Sequence, residues 1–297
     1  MTAFSQRCDA LPRLGIGVST EYGASRHQGA LDIKHLVRDY PTYAQFLEVG
    51  VSVETGLDDD AQAWVESGRP ATYHFLDLNL DDEADFDPAW MARFDELVEQ
   101  VQPAWICGDA GLWHFGRRER GHMLLLPPIL TRDSARELAD GIIRLREHTG
   151  LEVLPESPPG HVFVGDLHLL DFFALVLDEA DTGMLLDAAH LAIYQQVMGH
   201  DPLTGLDGFP CERIIETHIA GASAFDIDGI RIVEDDHTVD VLDETWTIAA
   251  GLGERATTLR AVVFECERNS IEDCLPGFER IEAIFGHRFV CQDEAVE

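Results

Sequence analysis

Lysine is almost missing from this chain: Lys34 stands alone, and Lys and Arg together number 21 against 55 Asp and Glu, for a formal charge of −34. A chain so acidic, with no local basic patch, repels phosphate backbones and anionic lipid surfaces, which excludes nucleic acid and membranes as partners. The excess of carboxylates suits a protein kept hydrated at high salt, where screening is strong, so a halophilic source is expected; the alternative is an ordinary acidic cytosolic protein. Paired cysteines are missing too. Cys8, Cys107, Cys211, Cys266, Cys274 and Cys291 form no CxxC motif and no disulfide-like framework, and they read as reduced thiols of a cytoplasmic protein. No apolar run approaches the roughly 20 residues of a membrane span, and the first residues hold no apolar stretch of signal-peptide length.

What is present is an alternation. With 45% hydrophobic and 26% charged residues the composition is that of a globular protein with a sizeable core. Eight short β-rich runs can be read along the chain: 14–19, 45–50, 71–76, 104–109, 151–156, 183–188, 214–221 and 261–267. Between them lie segments of helical period, among them "PAWMARFDELVEQV", with Asp87 and Pro88 as N-cap and first residue, and "TRDSARELADGIIRLREHTG", capped by Thr131 and stopped by Gly150. Strand and helix alternating over one chain predict parallel βα units, and eight of them in about this length predict a (β/α)8 TIM barrel. A doubly wound sheet is the competing fold, but "GIGVSTEYG" lacks the third glycine of its phosphate turn. No linker or repeat divides the chain, so a single domain over 1–297 is expected, with the barrel at about 13–290 and a frayed tail after Val290.

In a parallel barrel the carboxyl ends of all strands open on one face, where the chemistry is done. The predicted strand ends carry Glu48, His74, Asp109, Glu156, Asp187, His218 and the pair Glu265 and Glu267. So many carboxylates converging on one low-dielectric mouth would repel one another unless cations offset them, so a metal centre is predicted. The segments after the sixth and seventh strands add His190, His200, Asp235 and His237. Carboxylates and imidazoles without cysteine favour zinc, manganese or iron, and a set this long suits more than one ion. His114, His122, His148, His161 and His168 fall in predicted loops or helices and are expected at the surface.

The order of these motifs resembles that of the multinuclear non-heme iron-dependent oxidative enzymes, a barrel family that includes the oxidase of methanobactin biosynthesis. The resemblance runs from about Gly15 to Asn269. "GIGVS" is similar to the family's opening Gly-x-Gly strand, "FLEVG" to its Phe-x-Glu strand, "YHFLDL" to the strand bearing its first metal histidine, and "CGDAG" to its Ser-Asp-His segment. "LLLPPILTRDSARELADGIIRLREHTGLEVLPESPP" follows its Leu-Pro-x-Pro helix and Leu-Glu-Asn-Pro strand. "LLDAAHLAIYQQVMGHDP", "IETHIAGAS", "DDH" and "FECERN" match its remaining ligand segments in order. The resemblance implies that His74, Asp109, Glu156, Asp187, His190, His200, His218, Asp235, His237 and Glu265 hold two or three irons of mixed Fe(II)/Fe(III) valence, with Glu156 as a bridge and Glu156, Asp187 and His218 at the catalytic centre. It further implies O2 as co-substrate, oxidation of a cysteine-containing ribosomally made peptide, and a separate peptide-recognition partner protein. The chain departs from the family where His190 replaces an Asn, Ala110 a His, and Ser157 an Asn; these changes bear on substrate more than on metal.

Two other functions fit a carboxylate-rich barrel. One is a divalent-metal sugar isomerase or an endonuclease-like hydrolase, weakened respectively by the lack of a strand-end lysine and by the charge. The other is a non-catalytic metal-binding partner protein.

Overall fold

The computed structural model describes residues 3–20, 29–116, 120 and 124–289. The strands in chain order are β1 (Gly15–Ser19), β2 (Leu47–Val51), β3 (Ala71–Phe75), β4 (Ile106–Asp109), β5 (Val153–Glu156), β6 (Met184–Asp187), β7 (Ile214–Ile227), β8 (Ile230–Thr238) and β9 (Ala261–Glu265). All but β8 pair in parallel around a ring that closes through β6 on β7, β7 on β9 and β9 on β1. The fold is therefore the predicted (β/α)8 barrel, and its eight strands coincide with the eight β-rich runs to within a few residues at each end, except for a much longer β7.

The helices are α1 (Ala3–Ala10), α2 (Ile33–Asp39), α3 (Asp59–Glu66), α4 (Pro88–Val101), α5 (Arg132–Thr149), α6 (Leu169–Ala180), α7 (Ala188–Met198), α8 (Asp243–Arg255) and α9 (Ile271–Phe285). Their boundaries follow local chemistry. Asp87 caps α4 by accepting from Ala89 N at 2.9 Å with Pro88 at the first helical position, and Thr131 caps α5. Gly150 ends α5 at φ 72°, a left-handed turn that glycine adopts without a Cβ clash.

Strand side chains alternate between the helix layer and the barrel interior. Outward residues such as Val18, Val49, Tyr73, Ile106, Val153, Leu186, Ile219 and Phe264 pack under the helices in the main core. Inward residues of the amino half, including Phe46, Trp105, Cys107, Leu154, Leu185 and Val263, form a second apolar cluster. Helix α1 plugs this end with Phe4 and Cys8, and Arg7 pins it through Glu152 at 2.7 Å. Gly17 is required by this packing: a Cβ there would sit 2.6 Å from the Phe46 ring and carbonyl.

The segment after the seventh β-rich run is itself a strand. Strand β7 runs on beyond the barrel and pairs antiparallel with β8 across Asp228 and Gly229, both at positive φ (50° and 84°), as a two-residue hairpin turn requires. The tail after Val290, Cys291 included, and His122 lie outside the described residues.

Candidate metal centre

Strands β2, β4, β5, β6 and β9 each deliver a carboxylate to the mouth two residues beyond an inward residue of the apolar cluster. Glu156 at the end of β5 is the hub. Its Oε2 lies 2.7 Å from His74 Nε2 of β3, and its Oε1 lies 3.5 Å from His190 Nδ1 and 3.4 Å from His218 Nδ1. Asp109 of β4 stands 3.9 Å from His74 and 3.8 Å from His190. Glu265 of β9 faces His218 Nδ1 at 3.3 Å.

Asp187 holds two positions at once, because β6 ends where α7 begins. One carboxylate oxygen caps α7 by accepting from His190 N at 2.6 Å, while Oδ2 is buried with no hydrogen-bond partner. The same cap places His190 in the first helical turn, donating Nδ1–H to the Ser157 carbonyl at 2.7 Å and turning Nε2 to Asp235 at 2.9 Å.

Asp235 and His237 arrive on β8. The register with β7 shifts between Gly221 and Ala222, so Asp236 and His237 bulge from the ladder, and His237 takes a φ of 53°. That bulge brings His237 Nε2 to 3.4 Å from Asp235 and 3.8 Å from Glu265, while Nδ1 donates to Glu267 at 2.7 Å.

The structure thus brings together His74, Asp109, Glu156, Asp187, His190, His218, Asp235, His237 and Glu265. It leaves His200 out. At about 1.5 Å per helical residue, ten residues carry the chain roughly 15 Å from His190 to the far end of α7. There Gly199 turns it at φ 70°, and the His200 ring stacks on His168 at 5.3 Å with Nδ1 3.2 Å from Gln195 Oε1. Of the ten residues that the family resemblance implies as ligands, His200 therefore lies apart from the other nine, and Asp235 meets His190 instead.

Two residues that sequence reasoning left out of the ligand set also belong to the neighbourhood. Glu48 of β2 accepts from His218 Nε2 at 3.2 Å, and Glu267 holds His237. Their strand-end positions were the available signal. His114, expected at the surface, is buried and lies 3.1 Å from Asp85, which Arg120 also binds at 2.6 Å. His148 and His161 are exposed, and His168 is half-buried as the cap of α6.

Burial opposes charge on every ring here, yet the carboxylates outweigh it. His74 is raised to about 10, chiefly by its bond to Glu156 and the charge of Glu48, and His190, His218 and His237 are held well above the usual imidazole range. Burial pushes Glu265 up to about 8 and raises Asp187, whereas imidazoles overcome burial to hold Glu156 and Asp235 below the usual carboxylate range. The site gathers protons to offset its own negative charge, the task that bound cations perform while displacing those protons.

The residues fit metal ions by two further observations. Glu156 Oε1, Asp187 Oδ2 and Glu265 Oε2 are buried oxygens with no hydrogen-bond partner. The triads His74–Asp109–Glu156, Glu156–Asp187–His190 and Asp187–His218–Glu265 each hold ligand atoms within 4.8 Å of one another. Oxygen and imidazole donors of this kind suit first-row metals. No helix among the described residues is long and apolar enough to cross a membrane.

Solved structures share the architecture. A xylose isomerase-like TIM barrel protein from Mycobacterium smegmatis, in complex with magnesium, superposes with TM-score 0.57 at 12% identity over 95% of this chain and 99% of the other. A xylose isomerase domain containing protein from Salmonella typhimurium does so with TM-score 0.54 at 10% identity, over 94% and 97%. At these identities the likeness shows the fold. Among curated proteins, the UPF0276 protein of Anaeromyxobacter sp. (strain Fw109-5) is 28% identical over 61% of this chain, and that of Acaryochloris marina 28% over 62%; the chain spans 62% and 65% of the length of these two. The UPF0276 protein of Nitrosospira multiformis is 23% identical over 82% of both chains. The family model of the RiPP precursor modification enzyme MbnB/TglH/ChrH matches residues 31–284, a span that takes in all nine of the gathered site residues, and the chain belongs to that family.

Proposed function

We propose that this protein is a multinuclear non-heme iron oxygenase or oxidase that modifies a cysteine-containing, ribosomally made peptide in an O2-dependent reaction. The observation that carries this reading is the sharing of side chains between adjacent triads: Glu156 belongs to two of them and Asp187 to two. A carboxylate placed between neighbouring positions can span two cations, so the arrangement suits two to three irons of mixed Fe(II)/Fe(III) valence better than one. His74, Asp109 and Glu156 would hold one, Glu156, Asp187, His190 and Asp235 a second, and Asp187, His218, Glu265 and His237 a third. Iron held there supplies O2 activation and an anchor for a substrate thiolate.

The protein's own part is to bind, orient and keep dry. Glu156, Asp187 and His218 form the catalytic centre, the two carboxylates offsetting charge at its middle. Leu125 and Pro159 line both the cavity at the mouth and an adjoining groove of about 420 Å³. That groove, walled by Leu124, Leu126, Val162, Ile193 and Val233 and ending at Asp235, offers a peptide an apolar path to the metals. Family membership supports a peptide substrate. A separate partner protein delivering the peptide, and a cytoplasmic setting, complete the proposal.

The test is metal analysis of protein purified without air after iron-replete expression, followed by O2 uptake with a cysteine-containing peptide encoded beside its gene. About two to three irons per chain and peptide-dependent O2 consumption are expected. Stoichiometric zinc alone, with no O2 uptake, would overturn the proposal.

A further inference from the structure

Three of the histidines at the centre share a feature that their distance to carboxylates alone does not require. Each has one ring nitrogen engaged by an acceptor on its outer side: His190 Nδ1 by the Ser157 carbonyl at 2.7 Å, His237 Nδ1 by Glu267 at 2.7 Å, and His218 Nε2 by Glu48 at 3.2 Å. An imidazole that donates from one nitrogen presents its lone pair at the other, so the outer acceptor decides which nitrogen can take a metal. For His218 the inner nitrogen is Nδ1, buried without a hydrogen-bond partner and facing Glu156 and Glu265. For His237 it is Nε2, facing Asp235 and Glu265.

We propose that Glu48 and Glu267 are positioning residues that lock His218 and His237 in opposite tautomers, so that His218 binds metal through Nδ1 and His237 through Nε2. Both carboxylates are buried. Among the described residues Glu267 belongs to no candidate ligand triad, and Glu48 shares one only with Glu216 and His218, apart from the three triads built on Glu156 and Asp187. Their roles suit their places. Glu48 lies beneath His218, where Cys107 Sγ also donates to it at 3.3 Å, and Glu267 lies two residues past Glu265, on the outer side of His237. A carboxylate can only accept, so it permits one ring orientation, and its charge makes the opposite nitrogen a stronger ligand.

The inference rests on the metal-enzyme reading above and is tested on the full chain loaded with zinc, which is diamagnetic, after labelling its histidines with 15N. The wild-type spectrum is expected to show one metal-bound ring with a far-downfield Nε2–H, shifted in Glu48→Gln, and another with a far-downfield Nδ1–H, shifted in Glu267→Gln. Zinc affinity should fall about 10- to 100-fold in each variant. Cys107→Ala, which removes another partner of Glu48 without touching His218, should bind zinc within about twofold of wild type. A wild-type spectrum with His218 bound through Nε2, or folded Gln variants with unmoved resonances and unchanged affinity, would overturn the assignment. If the Gln variants do not fold, the wild-type spectrum decides alone. A wild-type chain that takes up no metal ends both readings, whereas zinc uptake with unmoved resonances ends only this one.

Discussion

The two halves of the barrel interior are built by the same strands with the same alternation, yet on four of those strands their chemistry is opposite. In the amino half Phe46, Leu154, Leu185 and Val263 pack against one another and against α1. Two residues later on the same four strands stand Glu48, Glu156, Asp187 and Glu265, all buried. One step of the strand period therefore separates side chains whose burial stabilises the fold from side chains whose burial opposes it. The lower half and the helix layer must supply the stability that lets the upper half hold its charges close together.

The largest effect is expected at the hub of the mouth. Glu156→Ala removes the oxygen pair shared by two triads, and iron per chain should fall from about two to three to one or none while the far-ultraviolet spectrum keeps its helical signal. Undiminished iron would mean that the mouth gathers carboxylates for some other reason. One strand step nearer the floor of the same interior, Phe46→Ala should do the reverse. Opening a cavity at this fully buried ring should lower stability by about 3–5 kcal/mol, read by urea unfolding, with iron per folded chain unchanged. Loss of metal from folded Phe46→Ala would show that the halves are not separable.

A smaller effect belongs to the whole surface. With a formal charge of −34, the folded chain repels itself, and that repulsion is screened by salt. Moving from low to molar sodium chloride should stabilise it by about 1–2 kcal/mol, roughly 2–8 °C in melting temperature for a chain of this size. A melting temperature that ignores salt would sink the expectation of a halophilic source.

The two halves also differ in how legible they were. The strand ends could be read because each ends a short β-rich run at an ionisable residue, and parallel alternation sends all of those ends to one face. The β7–β8 hairpin was harder to see, since "EDDHTVDVLDETW" looks like a solvated acidic loop. The signal that would have found it is Asp228-Gly229 between Phe225, Ile227 and Ile232, a turn pair flanked by period-two apolar residues. The burial of His114 had no such signal, because its partner Asp85 lies 29 residues away and no periodicity links them.

Helix α7 carries the same comparison in miniature, with one imidazole at each end. His190 in the first turn points to Asp235 and belongs to the mouth, whereas His200, just past the last turn, belongs to a stack with His168 beside Gln195. His190→Asn should therefore loosen one metal position, and His200→Ala should not. The effect expected for His200→Ala is small because the ring is half-buried and its polar contact is a single 3.2 Å approach to an amide that is otherwise anchored on the Pro202 and Thr204 carbonyls. Losing it should cost less than about 1 kcal/mol, in the range of one ordinary hydrogen bond. Iron content is the sharper readout: His200→Ala should match wild type, and loss of an ion in that variant would return His200 to the metal centre and show that the far end of α7 moves inward when metal binds.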